Sequence, residues 1–441
     1  MSGDGDTIVA AATPPGRGGI GIVRISGGAT RAIAEAMLGG VPKPRYATAA
    51  AFTDEDGRAI DSGLALWFPA PRSFTGEDVL ELHGHGGPVV MDLIIRRALE
   101  LGARPARPGE FTERAFHNDK IDLAQAEAIA DLIDAGSAEA ARAALGSLAG
   151  EFSREITELG GHIMELRVYV EAAIDFPDED AGFLASAEVR NRLSDITARF
   201  AAIGRAARQG RALSEGLSVV IAGRPNAGKS SLLNALAGHD AAIVTAIPGT
   251  TRDVVREHIV IDGLPIHVID TAGLRDNADA IEEEGIRRAR SEMRRADLVL
   301  YLVDASIGAA LGELQSLAED PPVLLVWNKI DLAPPPPGST GVAISALTGA
   351  GLPELRERLK TVAGYRSGDA GAYSARRRHL DALDRARRLV RSAESRIAER
   401  ASFELVAEEL RLAQQALGEI TGEVTSDELL GAIFASFCIG K

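Results

Sequence analysis

The segment that most constrains this chain is LSVVIAGRPNAGKS, Leu217 to Ser230. Its apolar opening is too short for an ordinary helix and reads as a buried strand. Gly223-Arg224-Pro225-Asn226-Ala227-Gly228-Lys229-Ser230 then satisfies G-x-x-x-x-G-K-S at every fixed position, and SSLLNALAG continues as a helix. Strand, glycine loop and helix in that order predict a phosphate-binding loop. The glycines let backbone amides curl around phosphate oxygens, and the helix N-terminus adds positive potential. Lys229 reaches the terminal phosphates, and Ser230 is expected to ligate Mg²⁺. Asn226, Ala227, Gly228, Lys229, Ser230 and Ser231 together form the expected phosphate cradle.

Further strands are predicted at Glu257–Ile261, Ile266–Asp270, Leu298–Asp304, Val323–Asn328 and Val342–Ser345. Helical segments separate most of them, so the region reads as a mainly parallel, doubly wound sheet, a Ras-like P-loop G domain. Asp270-Thr271-Ala272-Gly273 closes one strand, where an acid can hold Mg²⁺ through water and Gly273 can offer its N–H to a γ-phosphate. Asn328-Lys329-Ile330-Asp331 closes another. The Asp331 carboxylate can accept from guanine N1–H and N2–H₂, and adenine lacks that amino group. Ser345-Ala346-Leu347 follows one more strand and can support the base through a backbone N–H. In this order the motifs predict a GTP-hydrolysing site. Leu274 follows Gly273 where Ras-like proteins carry a water-orienting Gln, so another group must position the water.

The remaining sequence divides by texture. Residues 1–118 mix short apolar runs with Gly and Pro and read as an α+β domain. Residues 119–214 are Ala-rich with helical spacing, 215–368 hold the G domain, and 369–441 return to helical spacing. The G domain is thus expected as an insertion in a helical domain, with Pro334–Pro337 as a surface loop. At 46% hydrophobic and 25% charged residues the composition is that of a soluble globular chain. No apolar run approaches ~18 residues, and no basic stretch precedes the short apolar segment at the N-terminus. The expectation is a cytoplasmic protein with no membrane segment. One cysteine, Cys438, excludes a disulfide within the chain.

The net charge of −15 argues against broad affinity for nucleic acid. The clearest basic run is Arg376, Arg377, Arg378, Arg385, Arg387, Arg388 and Arg391, which reads either as a solvated helix face with nearby acids or as a local patch. Gly16-Arg17-Gly18-Gly19-Ile20-Gly21 matches G-x-G-x-x-G, but IVRIS after it reads as a strand, so a dinucleotide fingerprint is rejected. His83 and His85 have no Cys nearby and are assigned a structural or pocket role in preference to metal binding. Cys438 is either an inert buried thiol or a reactive one activated by a nearby cation such as Lys441.

Pro248-Gly249-Thr250-Thr251-Arg252-Asp253, taken with GRPNAGKSS, resembles the TrmE–Era branch of translation-factor-like GTPases. The tail Phe437-Cys438-Ile439-Gly440-Lys441, the N-terminal TIVAAATPPGRGGIGIVRISG, and the segments SFTGEDVLELHGHGGP and PGEFTERAFHNDKIDLAQAEA resemble the MnmE (TrmE) family of tRNA modification GTPases. That resemblance runs from about residue 6 to 441. It implies formation of the 5-carboxymethylaminomethyl or aminomethyl group on the wobble uridine of tRNA, with glycine or ammonia as nitrogen source. It implies a homodimer working with the flavoprotein MnmG (GidA) in a heterotetramer. It also implies a reduced folate, 5-formyl- or methylene-tetrahydrofolate, bound by an N-terminal folate-binding and dimerisation domain.

By the same resemblance the folate contacts are Arg24, Glu81, Lys120 and Lys441, and the K⁺ ligands are Asn226, Thr245, Ile247 (backbone) and Thr250. Thr251 joins Ser230 on Mg²⁺, and Thr245, Ala246, Ile247, Pro248, Gly249, Thr250 and Thr251 line the nucleotide. K⁺ stands in the arginine-finger position and drives G-domain dimerisation. A Glu matching Glu282 orients water, with Glu283 as the alternative. The competing expectation is an Era-like ribosome-assembly GTPase, which would carry a KH-type RNA module after the G domain. Residues 366–441 show no GXXG in such a setting.

Overall fold

The computed structural model describes residues 5–175, 187–238, 256–270, 296–308, 321–366, 373–399 and 403–440. The chain forms two compact units, one of Met1–Ala130 with Thr421–Lys441, the other of Asp131–Ile420.

In the first unit the short runs seen in the sequence become β1 (Ile8–Ala11), β2 (Gly18–Ser26), β3 (Thr48–Thr53), β4 (Ala59–Phe68), β5 (Val79–Gly86) and β6 (Arg104–Pro105). They form one sheet in the order β3-β4-β5-β2-β1-β6. All pairings are antiparallel except β1 with β6. The IVRIS segment lies within β2, as the strand reading required. Two helices, α1 (Thr30–Leu38) and α2 (Pro88–Glu100), cover one face. Their buried residues recur at helical spacing: Ile33, Ala34 and Met37 on α1, and Met91, Ile94 and Ala98 on α2. These pack with Val23, Ile25, Phe52, Trp67, Leu80 and Leu82 from the sheet. Because side chains alternate along a strand, Leu80 and Leu82 point to the helices and Glu81 and His83 to the opposite face.

Helices α3 (Glu110–His117) and α4 (Leu123–Ile133) follow. The C-terminal helix, Asp427–Ala435, returns to this unit, capped by Ser426 Oγ accepting from the Leu429 N–H at 3.3 Å. Its Ile433 and Phe434, with Phe437, bury against Leu123, Ala126 and Phe116. Beyond it the tail forms an antiparallel bridge between Ile439 and Pro108, and the Gly109 N–H donates to the Cys438 carbonyl at 3.4 Å. Gly440 sits at φ 97°, where a Cβ would collide with the Ala11 carbonyl.

In the second unit β7 (Leu217–Gly223), β8 (Arg256–Ile261), β9 (Leu264–Asp270), β10 (Leu298–Asp304), β11 (Val323–Asn328) and β12 (Val342–Ala343) build a sheet ordered β12-β11-β10-β7-β9-β8. It is parallel throughout except for the antiparallel β8–β9 hairpin. The apolar runs of β7 and β10 are buried along nearly their whole length, as strands covered on both faces must be.

The helical part contains α5 (Ala138–Leu148), α6 (Glu151–Asp175) and α7 (Ala187–Ser214). On the sheet side lie α8 (Lys229–Ala237) and α9 (Leu352–Ala363), and α10 (Arg377–Ala398) and α11 (Phe403–Thr421) close the unit. Phe152, Ile156, Leu159, Ile163, Leu166 and Val170 are buried along α6, and Val189, Leu193, Ile196, Phe200, Ile203 and Ala207 along α7. Steps of four and three residues alternate in both, which is the repeat of a left-handed helix bundle. The basic run lies along α10 and the residue before it. Arg376 pairs with Asp131, Arg385 with Glu419, and Arg378 donates to the carbonyls of Glu419 and Ile420. Among the described residues no strand follows β12, so no KH-type sheet is present there. No described helix is long and apolar enough to cross a membrane.

Candidate functional site

Parallel α/β sheets present ligand sites at the carboxyl ends of their strands. Here β7 ends in the glycine loop, β9 in Asp270, β10 in Asp304 and β11 in Asn328, on neighbouring strands. The loop between β7 and α8 holds Gly228 at φ 95°, with the Asn328 side-chain amide where a Cβ would sit. Any larger residue would push the loop off Asn328. Asn226 also takes a left-handed conformation, φ 63°. The Lys229 ammonium donates to the carbonyls of Gly223 at 3.2 Å and Arg224 at 3.1 Å, holding its charge over the loop. Ser230 and Ser231 open α8 and are exposed.

Asn328 is the joint of the site. It is 2% exposed. Its amide donates to the Ala227 carbonyl at 2.8 Å, and its carbonyl oxygen accepts from the Ala346 N–H at 3.0 Å. One buried side chain thus fixes the phosphate loop against the Ser345-Ala346-Leu347 turn. Ser345 donates to Asp331 at 2.6 Å and accepts from the Thr348 N–H at 3.1 Å, which aims the exposed Asp331 carboxylate. Lys329, at φ 66°, donates to Asp304 at 2.7 Å.

Asp304 was not among the residues singled out from the sequence, although it stands in register with Asn328 at the end of the adjacent strand. Burial works to raise its pKa, but hydrogen bonds from Lys329 and Ser306 outweigh that and hold the carboxyl below the usual carboxylate range. The signal that could have found it is an acid closing LVLYLVD, one strand away from Asn-Lys-x-Asp.

Of the other expected nucleotide residues, Asp270 ends β9. Thr245, Ala246, Ile247, Pro248, Gly249, Thr250, Thr251, Thr271, Ala272, Gly273 and Glu282 lie outside the described residues.

In the first unit, Arg24 on β2 and Glu81 on β5 are cross-strand partners on the sheet face away from α1 and α2. Arg24 Nη2 lies 2.9 Å from Glu81 Oε1, and Nε donates to the same oxygen at 3.0 Å. The guanidinium also lies over the rings of Phe74 and Phe111, 5.5 and 5.7 Å from their centroids. His83 Nε2 is 3.2 Å from the other Glu81 oxygen, while His85 pairs with Asp61. The two histidines thus address different carboxylates. Lys120 donates to the Pro71 carbonyl at 3.0 Å. Lys441 lies outside the described residues, but Gly440 rests on Ala11, next to Ala10, the strand partner of Arg24. Cys438 is exposed, so its thiol is not the buried, inert kind.

Glu110, next to Phe111 in the chain, anchors an ion network. Glu110, 1% exposed, pairs with Arg104, and its second oxygen accepts the Arg107 N–H at 2.7 Å. Burial pushes the Glu110 carboxyl up, yet these bonds and charges outweigh it and hold its pKa at about 2. Arg114 spans Asp6 and Glu77 within the same network.

Comparison with known families decides the identity. A family model described as "GTP-binding protein TrmE N-terminus" matches residues 7–120, and one described as "MnmE helical domain" matches residues 123–438. The chain belongs to the MnmE (TrmE) family of tRNA modification GTPases. It is accordingly a GTP-binding, GTP-hydrolysing enzyme. Among solved structures it is similar to the G domain of the T. maritima FeoB iron transporter, at 28% identity over 33% of this chain and 98% of that one, TM-score 0.26. It is also similar to an Era variant from Aquifex aeolicus bound to GDP and aluminium fluoride, at 29% identity over 39% of this chain and 66% of that one, TM-score 0.27. The fold assignment rests on strand order and motifs, not on these partial overlaps.

Proposed function

We propose that this GTPase powers wobble-uridine modification, installing a 5-carboxymethylaminomethyl or aminomethyl group on tRNA together with MnmG, from the one-carbon unit of a reduced folate. The observation that carries this reading is the seating of the C-terminal tail on the sheet that bears Arg24. Two segments more than 400 residues apart in sequence meet there. In this reading Glu81 accepts from the pterin's amino and ring N–H groups. Arg24, paired with Glu81, orients that carboxylate, and Lys120 and Lys441 supply charge for the glutamate carboxylates. The exposed Phe74 ring beside Arg24 gives the site an apolar edge. The exposed Cys438 lies on the same tail, and a part for its thiol belongs to this reading. The folate supplies the one-carbon group, and the residues named here bind and orient it.

In the G domain, Asn226 to Ser231 cradle the phosphates and Lys229 neutralises developing charge on them. In this reading Ser230, exposed at the start of α8, holds Mg²⁺ with Thr251. Asp331 selects guanine. Ala346, braced by Asn328, and Leu347 border the base. Asn226 offers an oxygen donor to K⁺, joined by Thr245, Thr250 and the Ile247 carbonyl. A bound K⁺ contributes positive charge next to the phosphates. Glu282 orients the attacking water in place of the missing Gln. A GTP-linked switch acting through residues 245–253 and 271–285 then serves as the conformational driver and leaves the carbon chemistry to the first unit.

GTP turnover in matched KCl and NaCl buffers, with gel-filtration mass in each, tests the cation mechanism. Strong stimulation and dimerisation by K⁺ alone are expected. Equal turnover in both salts would overturn the K⁺ site. Wobble modification of tRNA by this chain with MnmG and folate, and its loss in Arg24→Ala, tests the rest.

A further inference from the structure

A pair of histidines stands outside both sites, on the β8–β9 hairpin. His258 and His267 are direct cross-strand partners, with Nδ1 atoms 2.6 Å apart and ring planes at 84°. On the far side of its ring, His267 Nε2 lies 3.1 Å from the Glu215 carbonyl, in the short linker between α7 and β7. A carbonyl can only accept, so His267 Nε2 carries a proton. In the neutral ring its Nδ1 is then the acceptor, and the hydrogen on the short N···N contact belongs to His258. Gly216 makes the approach to the linker possible, since a Cβ there would lie 2.6 Å from His267 Nε2.

A metal-ligating imidazole is typically oriented in this way: the back nitrogen donates to a backbone carbonyl and the front lone pair is aimed at the site. Exchanging the shared proton for a metal ion satisfies both Nδ1 lone pairs at once. We propose that His258 and His267 form a binding site for a divalent transition metal of the nickel or copper(II) class. Affinity of nitrogen sites for divalent first-row metals rises to nickel and copper(II), which selects that class. Imidazole nitrogens disfavour Mg²⁺ and Ca²⁺. Among the described residues no third His, Cys, Asp or Glu completes a cluster, and His258 is exposed on the edge strand, open to water ligands. Bound metal would tie β8 to β9 and, through Glu215, to the end of α7. The two strands adjoin the segments assigned above to nucleotide switching, so the ion would stiffen the hairpin between them.

The test uses the untagged full-length chain saturated with GDP and Mg²⁺, so that the phosphate site does not take the added ion. Titration with NiCl₂ followed by calorimetry is expected to show one equivalent. Cu²⁺ is expected to give an electron paramagnetic resonance spectrum with two coordinated imidazole nitrogens. His258→Asn and His267→Asn should each weaken Ni²⁺ binding at least about tenfold and remove one nitrogen from the spectrum. Melting of each variant in EDTA, close to that of the parent, confirms that the fold is retained. Absence of binding by the parent, or undiminished binding by both folded variants, would overturn the assignment.

Discussion

The described residues form two six-stranded sheets, and the candidate sites are built on them in different ways. In the parallel sheet, β7, β9, β10 and β11 run in one direction, so their loops collect at one edge and each contributes a short contiguous motif. In the antiparallel sheet there is no such edge. The site proposed there lies on a face, built from single residues of strands that alternate inward and outward, with a helix and tail from far along the chain packed beside it. The difference teaches that motif density measures topology as much as importance. A parallel sheet concentrates its chemistry into readable words, and an antiparallel face scatters it.

The comparison breaks first at the phosphate loop. Lys229→Ala should lower GTP turnover by about 10²-fold or more, because a positioned cation is lost from the developing phosphate charge. Single-turnover assays check this, and near-parent rates would remove the loop from catalysis. Next, Asp331→Asn should weaken GTP by about 10²-fold and improve xanthosine triphosphate, whose ring carbonyl can accept from the new amide. Competition between the two nucleotides reads it directly. Asn328→Ala should cost about 2–4 kcal/mol, since the Ala227 carbonyl and Ala346 N–H are both left without their partner. Urea unfolding of the nucleotide-free chain measures that loss.

Gly440→Ala probes the scattered site. It should destabilise the seated tail by about 1–3 kcal/mol and weaken folate binding, with GTP turnover within about twofold of the parent. An equal fall in turnover would mean that the two sheets are not separate in function. The ion network around Glu110 gives a pH-dependent test of the antiparallel unit. The folded pKa of Glu110, about 2, lies below its ordinary 4.5, so the stabilisation is fully present above about 4.5 and is lost as pH falls toward 2. Acid unfolding of the parent should show this limb, and Glu110→Gln should flatten it.

The sequence and structure agree most closely where a motif and its element coincide. The strands expected at Leu298–Asp304 and Val323–Asn328 are found with those bounds, because long apolar runs bounded by polar strand ends admit few alternatives. Gly-x-x-x-x-Gly-Lys-Ser was legible for the same reason. Asp304 was not, because its role comes from an adjacent strand that sequence spacing does not specify. Arg24 and Glu81 were identified only through family resemblance. Taken alone they are two ordinary charges 57 residues apart, and register pairing makes them one ion pair.

The amino-acid sequence by itself determined the nucleotide chemistry, since a phosphate loop and a guanine-selecting carboxylate act through local backbone geometry and a single side chain. Only the tertiary structure decided that Asn328 braces two loops at once, that the tail closes on β1 and α3, and that His258 meets His267. Those contacts depend on strand order, register and burial, which arise when distant segments compete for the same core and are not encoded in any one stretch of chain.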